Sequence, residues 1–255
     1  MSKTQIMAKI TGLTKITDDI FSMWLKAGTI AKEAVPGQFV SLYCKNEDRL
    51  LPRPISICEI NREEELLRLV FRVVGKGTEE FSTYHAGDEI KILGPLGNGF
   101  PLKKDRAVLI GGGIGIPPLL ELAKELTGET TVVLGYRDDT LFLKEEFEKY
   151  ATVVVSTEDG SFGTKGNVID AMREQQVQAD IIYSCGPLPM LRGVKQFGLE
   201  HNIKTYLSME ERMACGIGAC LACTCQSTGV DNHSKVHNKR ICKDGPVFLS
   251  TEIDL

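Results

Sequence analysis

The most constraining feature of this chain is where its cysteines fall. Eight are present, and five of them, Cys215, Cys220, Cys223, Cys225 and Cys242, crowd into the last fifth of the sequence. From Met209 onward regular periodicity fades, and the remaining residues are rich in Cys, Gly and polar groups. Such a segment cannot bury enough apolar area to offset its conformational entropy. Something other than a hydrophobic core must hold it. The chain opens with no basic stretch followed by an apolar run, so no secretory signal is expected. A cytoplasmic location follows as the expectation, and a reducing compartment disfavours disulfides. A local cysteine cluster there points to a metal centre, and metal binding would supply the missing stability.

The spacing narrows the metal. Cys215-Gly-Ile-Gly-Ala-Cys220-Leu-Ala-Cys223 reads C-x4-C-x2-C, with Cys242 further on. This is the plant-type 2Fe–2S pattern, in which four thiolates converge on two irons from a tight loop. Gly216 and Gly218 permit the positive φ values such a loop needs, and backbone N–H groups can bond to the sulfurs. Structural zinc is the alternative, but zinc ligands come as two C-x2-C pairs and only one is present. Cys225 could exchange for Cys223. We take Cys215, Cys220, Cys223 and Cys242 as the ligands. His233 and His237 have metal-pair spacing but lie in a polar loop.

The rest of the chain has two textures. Residues 1–101 carry short apolar or alternating runs, Gln38 to Tyr43, Leu66 to Val74 and Glu89 to Leu93. Turn signals separate them at Pro36-Gly37, Gly75 to Gly77, Ala86-Gly87-Asp88 and Gly94 to Gly99. That pattern predicts a small antiparallel barrel. At Arg106 strands begin to alternate with helices. Strands are predicted at Ala107–Ile110, Thr131–Leu134, Thr152–Ser156 and Ile181–Ser184. Helices are predicted at Pro117–Leu126, Leu143–Tyr150 and Asn167–Gln175. This reads as βαβ units on a parallel sheet over residues 102–208, leaving 209–255 as the cysteine segment. The fold class is thus multi-domain: a β-barrel, an α/β parallel-sheet domain and a small C-terminal cluster segment.

Each of the first two parts carries anion-binding chemistry. Arg53-Pro54-Ile55-Ser56 offers a guanidinium suited to phosphate, and Gly75-Lys76-Gly77-Thr78 offers a turn whose N–H groups can face a pyrophosphate. Gly111-Gly112-Gly113-Ile114-Gly115 joins a strand to a helix, where phosphate can approach closely. It departs from the strict G-x-G-x-x-G fingerprint. Cys185-Gly186-Pro187 ends another strand, at the edge where open α/β sheets bind ligands. After the second strand of this domain come Arg137, Asp138 and Asp139. Arg137 could pair with a 2′-phosphate and so leaves NADP open, while the two aspartates would repel one, which leans towards NAD.

In order and spacing these motifs resemble the ferredoxin–NADP reductase superfamily, which pairs an FAD-binding barrel with a nicotinamide-binding α/β domain. The resemblance implies that Arg53, Pro54, Ile55 and Ser56 hold the flavin and its phosphate. It implies that Gly77 and Thr78 meet the pyrophosphate and that Val70, Phe71 and Arg72 line the flavin or adenosine. Gly111, Gly112, Gly113, Gly115, Cys185 and Gly186 would shape the NAD site. Within the superfamily, the run Met213 to Cys223, the run Cys242 to Phe248 and the stretch Thr157 to Gly166 resemble the electron-transfer subunits of type B dihydroorotate dehydrogenases. Small subunits of ferredoxin–NAD(P) and sulfide oxidoreductases share the architecture, and several of those have aspartate at the position of Cys215. That likeness implies FAD, a 2Fe–2S cluster and NAD as cofactors. It also implies an FMN-containing dihydroorotate-oxidising partner, two of each subunit in a heterotetramer, and a role in de novo pyrimidine biosynthesis. No acid–base catalytic residue is expected in this chain. With a net charge of −4 no broad basic field is present for nucleic acid. The longest uncharged apolar run, Ala107 to Leu120, is short and broken by glycine and proline, so no membrane span is expected.

Overall fold

The computed structural model describes residues 3–46, 48–230 and 235–255. Its first six strands are β1 (Thr4–Lys15), β2 (Ile20–Lys26), β3 (Phe39–Tyr43), β4 (Arg53–Asn61), β5 (Leu66–Arg72) and β6 (Glu89–Leu96). They close into an antiparallel barrel in the order β1-β2-β5-β4-β3-β6. Closure leaves no unpaired edge. The alternation that predicts these strands also fills the barrel. Ala8, Ile10, Met23, Leu25, Leu67, Leu69, Ile90 and Ile92 all turn inward and are fully buried. Two short helices, α1 (Thr29–Glu33) and α2 (Lys76–Ser82), lie in the connections after β2 and β5, and Ile30 and Phe81 from them complete the same core.

The second region is a sheet built from β7 (Ala107–Gly112), β8 (Thr130–Tyr136), β9 (Thr152–Thr157), β10 (Thr164–Lys165), β11 (Ile181–Cys185) and β12 (Lys204–Ser208). These six are parallel, in the order β10-β9-β8-β7-β11-β12. The order turns back between β7 and β11, so the carboxyl ends of those two strands form the switch point of the sheet. Four helices follow the strands: α3 (Leu120–Glu125), α4 (Lys144–Phe147), α5 (Val168–Glu174) and α6 (Leu188–Glu200). Two of the predicted helices are shorter than periodicity suggests. Pro117 and Pro118 lack amide donors, so the run begins as a 3-10 turn over Pro117–Leu119 before α3. The Leu143–Tyr150 run shrinks to the single turn of α4, entered through Leu143 at φ 64°. By contrast α5 starts where predicted, because Asn167 caps the amides of Ile169 and Asp170.

The C-terminal stretch makes a two-stranded pair, β13 (Thr224–Gln226) with β14 (Asn238–Arg240), then the one-turn helix α7 (Ile241–Asp244). Finally β15 (Val247–Leu249) pairs antiparallel with β12 at the edge of the sheet. The chain divides into two compact units. One is Met1–Gly99 with Glu210–Thr224 and Arg240–Pro246; the other is Phe100–Met209 with Cys225–Lys239 and Val247–Leu255. The cysteine segment therefore forms no body of its own: its pieces are shared between the two. No helix among the described residues is long and apolar enough to cross a membrane.

Candidate functional site

Two stretches of the barrel meet that are far apart in sequence. Arg53 opens β4, and its guanidinium lies against the α-carbon of Gly77. A Cβ added at Gly77 would stand 2.3 Å from Arg53 Nε and 2.7 Å from Cζ. Any larger residue there would push the guanidinium out of this position. Thr78 is buried and spends its hydroxyl on the turn itself. Its Oγ1 accepts from the amides of Val74 at 3.0 Å and Gly75 at 3.3 Å and donates to the Gly75 carbonyl at 3.0 Å. The turn is thus fixed before any ligand arrives, and the first amides of α2 have no partner within the helix. Pro54, Ile55 and Ser56 continue along β4, opposite Ser41, Val40 and Phe39 of β3.

The three β5 residues are not equivalent. Phe71 is a core residue, 1% exposed, stacked on Phe21 at 6.0 Å and edge-on to Phe81 at 6.2 Å. Its backbone is what it can offer a ligand. Val70 and Arg72 point to the opposite face, and Arg72 Nε lies 3.0 Å from an Asp19 carboxyl oxygen. Sequence reasoning misses Ser41. It is 0% exposed, and its Oγ has no hydrogen-bond partner. An orphaned hydroxyl opposite the Arg53–Ser56 stretch is what a missing bound group leaves behind. No local pattern marks it, because its burial depends on residues distant in sequence.

In the sheet, Gly111 and Gly112 end β7, and Gly113 turns the chain with φ 54° into open space. Gly115 packs on the next motif: a Cβ there would be 2.4 Å from the Cys185 carbonyl oxygen and 2.5 Å from Gly186 Cα. Gly112 and Gly186 are both pressed by Met190 of α6, at 2.6 and 2.4 Å from their missing Cβ positions. The two glycine motifs therefore form one surface at the switch point. At the end of β8, Tyr136 is buried with its hydroxyl donating to the Phe142 carbonyl at 2.9 Å. Asp138 accepts from the Thr140 amide at 2.9 Å, and hydrogen bonds from Thr140 hold its carboxyl below the ordinary range.

The four cysteines of the plant-type pattern come together in the first unit. Gly216 and Gly218 adopt φ 67° and 86°, as the loop requires. Amides then converge on sulfur. Ile217, Ala219 and Cys220 donate to Cys215 Sγ at 3.4, 3.3 and 3.4 Å; Gly218 donates to Cys242 Sγ at 3.1 Å; Cys242 donates to Cys223 Sγ at 3.4 Å. Side-chain contacts pair Cys215 with Cys220 and Cys223 with Cys242. Burial works against the Cys215 thiolate, but the three amides outweigh it and lower its pKa to about 6. Cys242 moves the other way, to about 12, through burial and the neighbouring Cys223 sulfur. This donor set suits thiolates carrying a cationic group. Among the described residues no group of three or more Cys, His, Asp or Glu is close enough for a single metal ion. Two touching pairs fit two metal atoms, each with its own pair of thiolates. Cys225, two residues beyond the buried Cys223, groups with the other unit. His237 Nδ1 lies 3.2 Å from the Ser227 carbonyl oxygen, while His233 lies outside the described residues.

The loop is clamped. Arg240 Nη1 donates to the Gly218 carbonyl at 3.3 Å while its Nε lies 3.2 Å from Asp244 Oδ2. A Cβ at Gly216 would be 3.0 Å from Ser41 Oγ and 3.2 Å from Leu96 Cδ1, so the loop lies directly on β3 and β6.

Comparison with known proteins agrees with this geometry. Residues 210–254 match the iron–sulfur cluster binding domain of dihydroorotate dehydrogenase B, and residues 109–196 match the oxidoreductase NAD-binding domain. The electron transfer subunit of dihydroorotate dehydrogenase B (NAD(+)) from Listeria innocua is 43% identical over 98% of this chain and 99% of its own length. The same subunit from Fusobacterium nucleatum is 40% identical over 94% and 95%. Among solved structures, one of the NADH-dependent reduced ferredoxin–NADP oxidoreductase superposes with a TM-score of 0.87 at 33% identity, covering 98% of this chain and 90% of that one. The ferredoxin reductase of carbazole 1,9a-dioxygenase shares the fold at 18% identity, with a TM-score of 0.67 over 80% and 67%.

Proposed function

This chain belongs to the family of electron transfer subunits of NAD-linked dihydroorotate dehydrogenase B, and from that premise we propose how it works and with what. It receives electrons from an FMN-containing subunit that oxidises dihydroorotate and passes them by way of a 2Fe–2S cluster and FAD to NAD+. The bound groups supply a one-electron carrier, a flavin able to exchange one or two electrons, and a two-electron acceptor. The step serves de novo pyrimidine synthesis in the cytoplasm, in an assembly of two catalytic and two electron-transfer subunits.

The chain's own residues do the binding and orienting. Cys215, Cys220, Cys223 and Cys242 hold the irons, and the five amide donors offset the negative charge of their sulfurs. Residues 1–101 take the FAD: Arg53 and the Gly77-Thr78 turn hold its phosphates, and Pro54, Ile55, Ser56, Val70, Phe71 and Arg72 line it. Residues 102–208 take NAD over Gly111, Gly112, Gly113 and Gly115 beside Cys185 and Gly186. Residues 209–255 carry the cluster. The observation that carries the reading is the set of four thiols in two touching pairs beneath five amide donors.

The test is the visible spectrum of the anaerobic complex with its catalytic partner. Flavin and iron–sulfur bands should bleach with dihydroorotate and recover with NAD+. The likeness to the NADH-dependent reduced ferredoxin–NADP oxidoreductase favours a second reading, the small subunit of a ferredoxin–NAD(P) oxidoreductase. Bands that ignore dihydroorotate yet bleach with NADH or NADPH would move the chain to that group.

A further inference from the structure

We propose that Asn98 is the positioning residue that fixes the fourth ligand, Cys242, to the barrel and so governs how firmly the cluster is kept. The inference rests on the reading of the four cysteines as iron ligands. It concerns a residue in the turn after β6 that no motif assigns to any cofactor.

Three of the four ligands share one loop, whose own amides organise it. Cys242 arrives on a separate piece of chain, in the single turn of α7. A one-turn helix ends in carbonyls with no intrahelical donor. Asn98 supplies donors to three consecutive carbonyls there. Its backbone amide donates to Gly245 O at 2.6 Å, and its Nδ2 donates to Asp244 O at 2.9 Å and to Lys243 O at 3.3 Å. These are the three residues that directly follow Cys242. A primary amide suits the task because its nitrogen carries two protons, whereas a carboxylate offers none.

The turn that presents Asn98 is itself held by the barrel. Gln38 Nε2 donates to the Gly97 carbonyl at 2.7 Å. Gly97 has φ 73°, and a Cβ there would stand 2.4 Å from Pro246 Cδ. So the path from barrel to ligand runs from Gln38 through Gly97 and Asn98 into α7. Gly218 N to Cys242 Sγ, Cys242 N to Cys223 Sγ, Ile241 N to Cys223 O and Arg240 Nη1 to Gly218 O tie this segment to the cysteine loop.

The experiment compares wild type, Asn98→Ala and the same-sized Asn98→Asp in the assembled complex under anaerobic conditions. It measures iron and sulfide per FAD, the rate at which cluster absorbance is lost to a chelator, and the EPR spectrum of the reduced cluster. Both variants should lose the cluster about ten-fold faster, the scale for removing an outer-shell partner of a metal ligand. Their EPR spectra should shift while FAD content stays at the wild-type level. Retention equal to wild type in either variant overturns the proposal, and so does loss of FAD in step with iron, which would make Asn98 a general fold residue. A wild-type protein without iron would overturn the cysteine reading itself and this inference with it.

Discussion

The barrel and the cysteine segment hold their residues in place by opposite means. Around Arg53 and Gly77 the geometry is fixed by a filled core, a closed ladder of strands and a hydroxyl that organises its own turn. Around Cys215 the loop is open, with Cys220 exposed and Ile217 and Leu221 exposed at 42% and 60%, while Cys223 and Cys242 lie buried beneath it. Order there comes from amide-to-sulfur bonds and a few side-chain clamps. The difference teaches that one site exists before its ligand, while the other needs its ligand to complete its stability.

The sharpest way to break that contrast is to remove the metal. Cys223→Ser should abolish the 2Fe–2S absorbance and EPR signal and leave the amides of residues 210–224 and 240–246 poorly protected from hydrogen exchange. The barrel strands should stay protected and FAD should stay bound. If the barrel loosened too, the two regions would be one cooperative unit and the contrast would fail. Next in size is Gly77→Ala, which drives a methyl into the Arg53 guanidinium. FAD affinity should fall at least ten-fold, about 1.4 kcal/mol, in a fluorescence titration, with iron content unchanged.

A third change probes the helix that carries the Gly77-Thr78 turn. Glu80 accepts from the Tyr84 hydroxyl, the Lys45 amide and Arg49 Nη1, each at 2.6 Å. Burial pushes its carboxyl up, but these bonds more than offset that and hold it below its ordinary 4.5. With the folded value depressed, the stabilisation is present above about pH 4.5 and is lost as pH falls through the folded value. Glu80→Gln should cost about 1–3 kcal/mol at neutral pH in thermal unfolding and flatten the acid limb. The smallest effect belongs to Ser41→Ala. Removing an unpartnered hydroxyl should leave the apoprotein's stability within about 0.5 kcal/mol of wild type, yet weaken retention of the bound groups.

What could be read from the sequence follows the range of the forces involved. Local signals carried far: the glycines at 216 and 218 permit positive φ and adopt it, and the helix expected over Asn167–Gln175 forms as α5. The thirteen-residue helix α6 went unseen, because Gly193 and Gly198 dilute the spacing of Leu191, Val194 and Phe197. Arg53 and Gly77 could each be singled out, but not that one lies on the other, since their approach depends on barrel closure. Phe71 illustrates the same limit. A motif can place a residue in a strand near a ligand, yet strand register decides whether its side chain faces core or ligand. Ser41 and Asn98 were illegible for a related reason. Each matters through a neighbour brought from the far end of the chain.

The last strand has a practical consequence. β15 closes off β12 by pairing antiparallel to it, and it follows directly on the segment that carries Cys242. Cutting the chain before the first cysteine to obtain a simple flavin reductase would strip that cover. The hydrogen-bonding row of β12, with buried Leu207 at its centre, would become an open template for another chain. A shortened protein of this kind should self-associate and precipitate even with FAD and NAD bound, and a soluble version would need a charged or proline-bearing substitute along that edge.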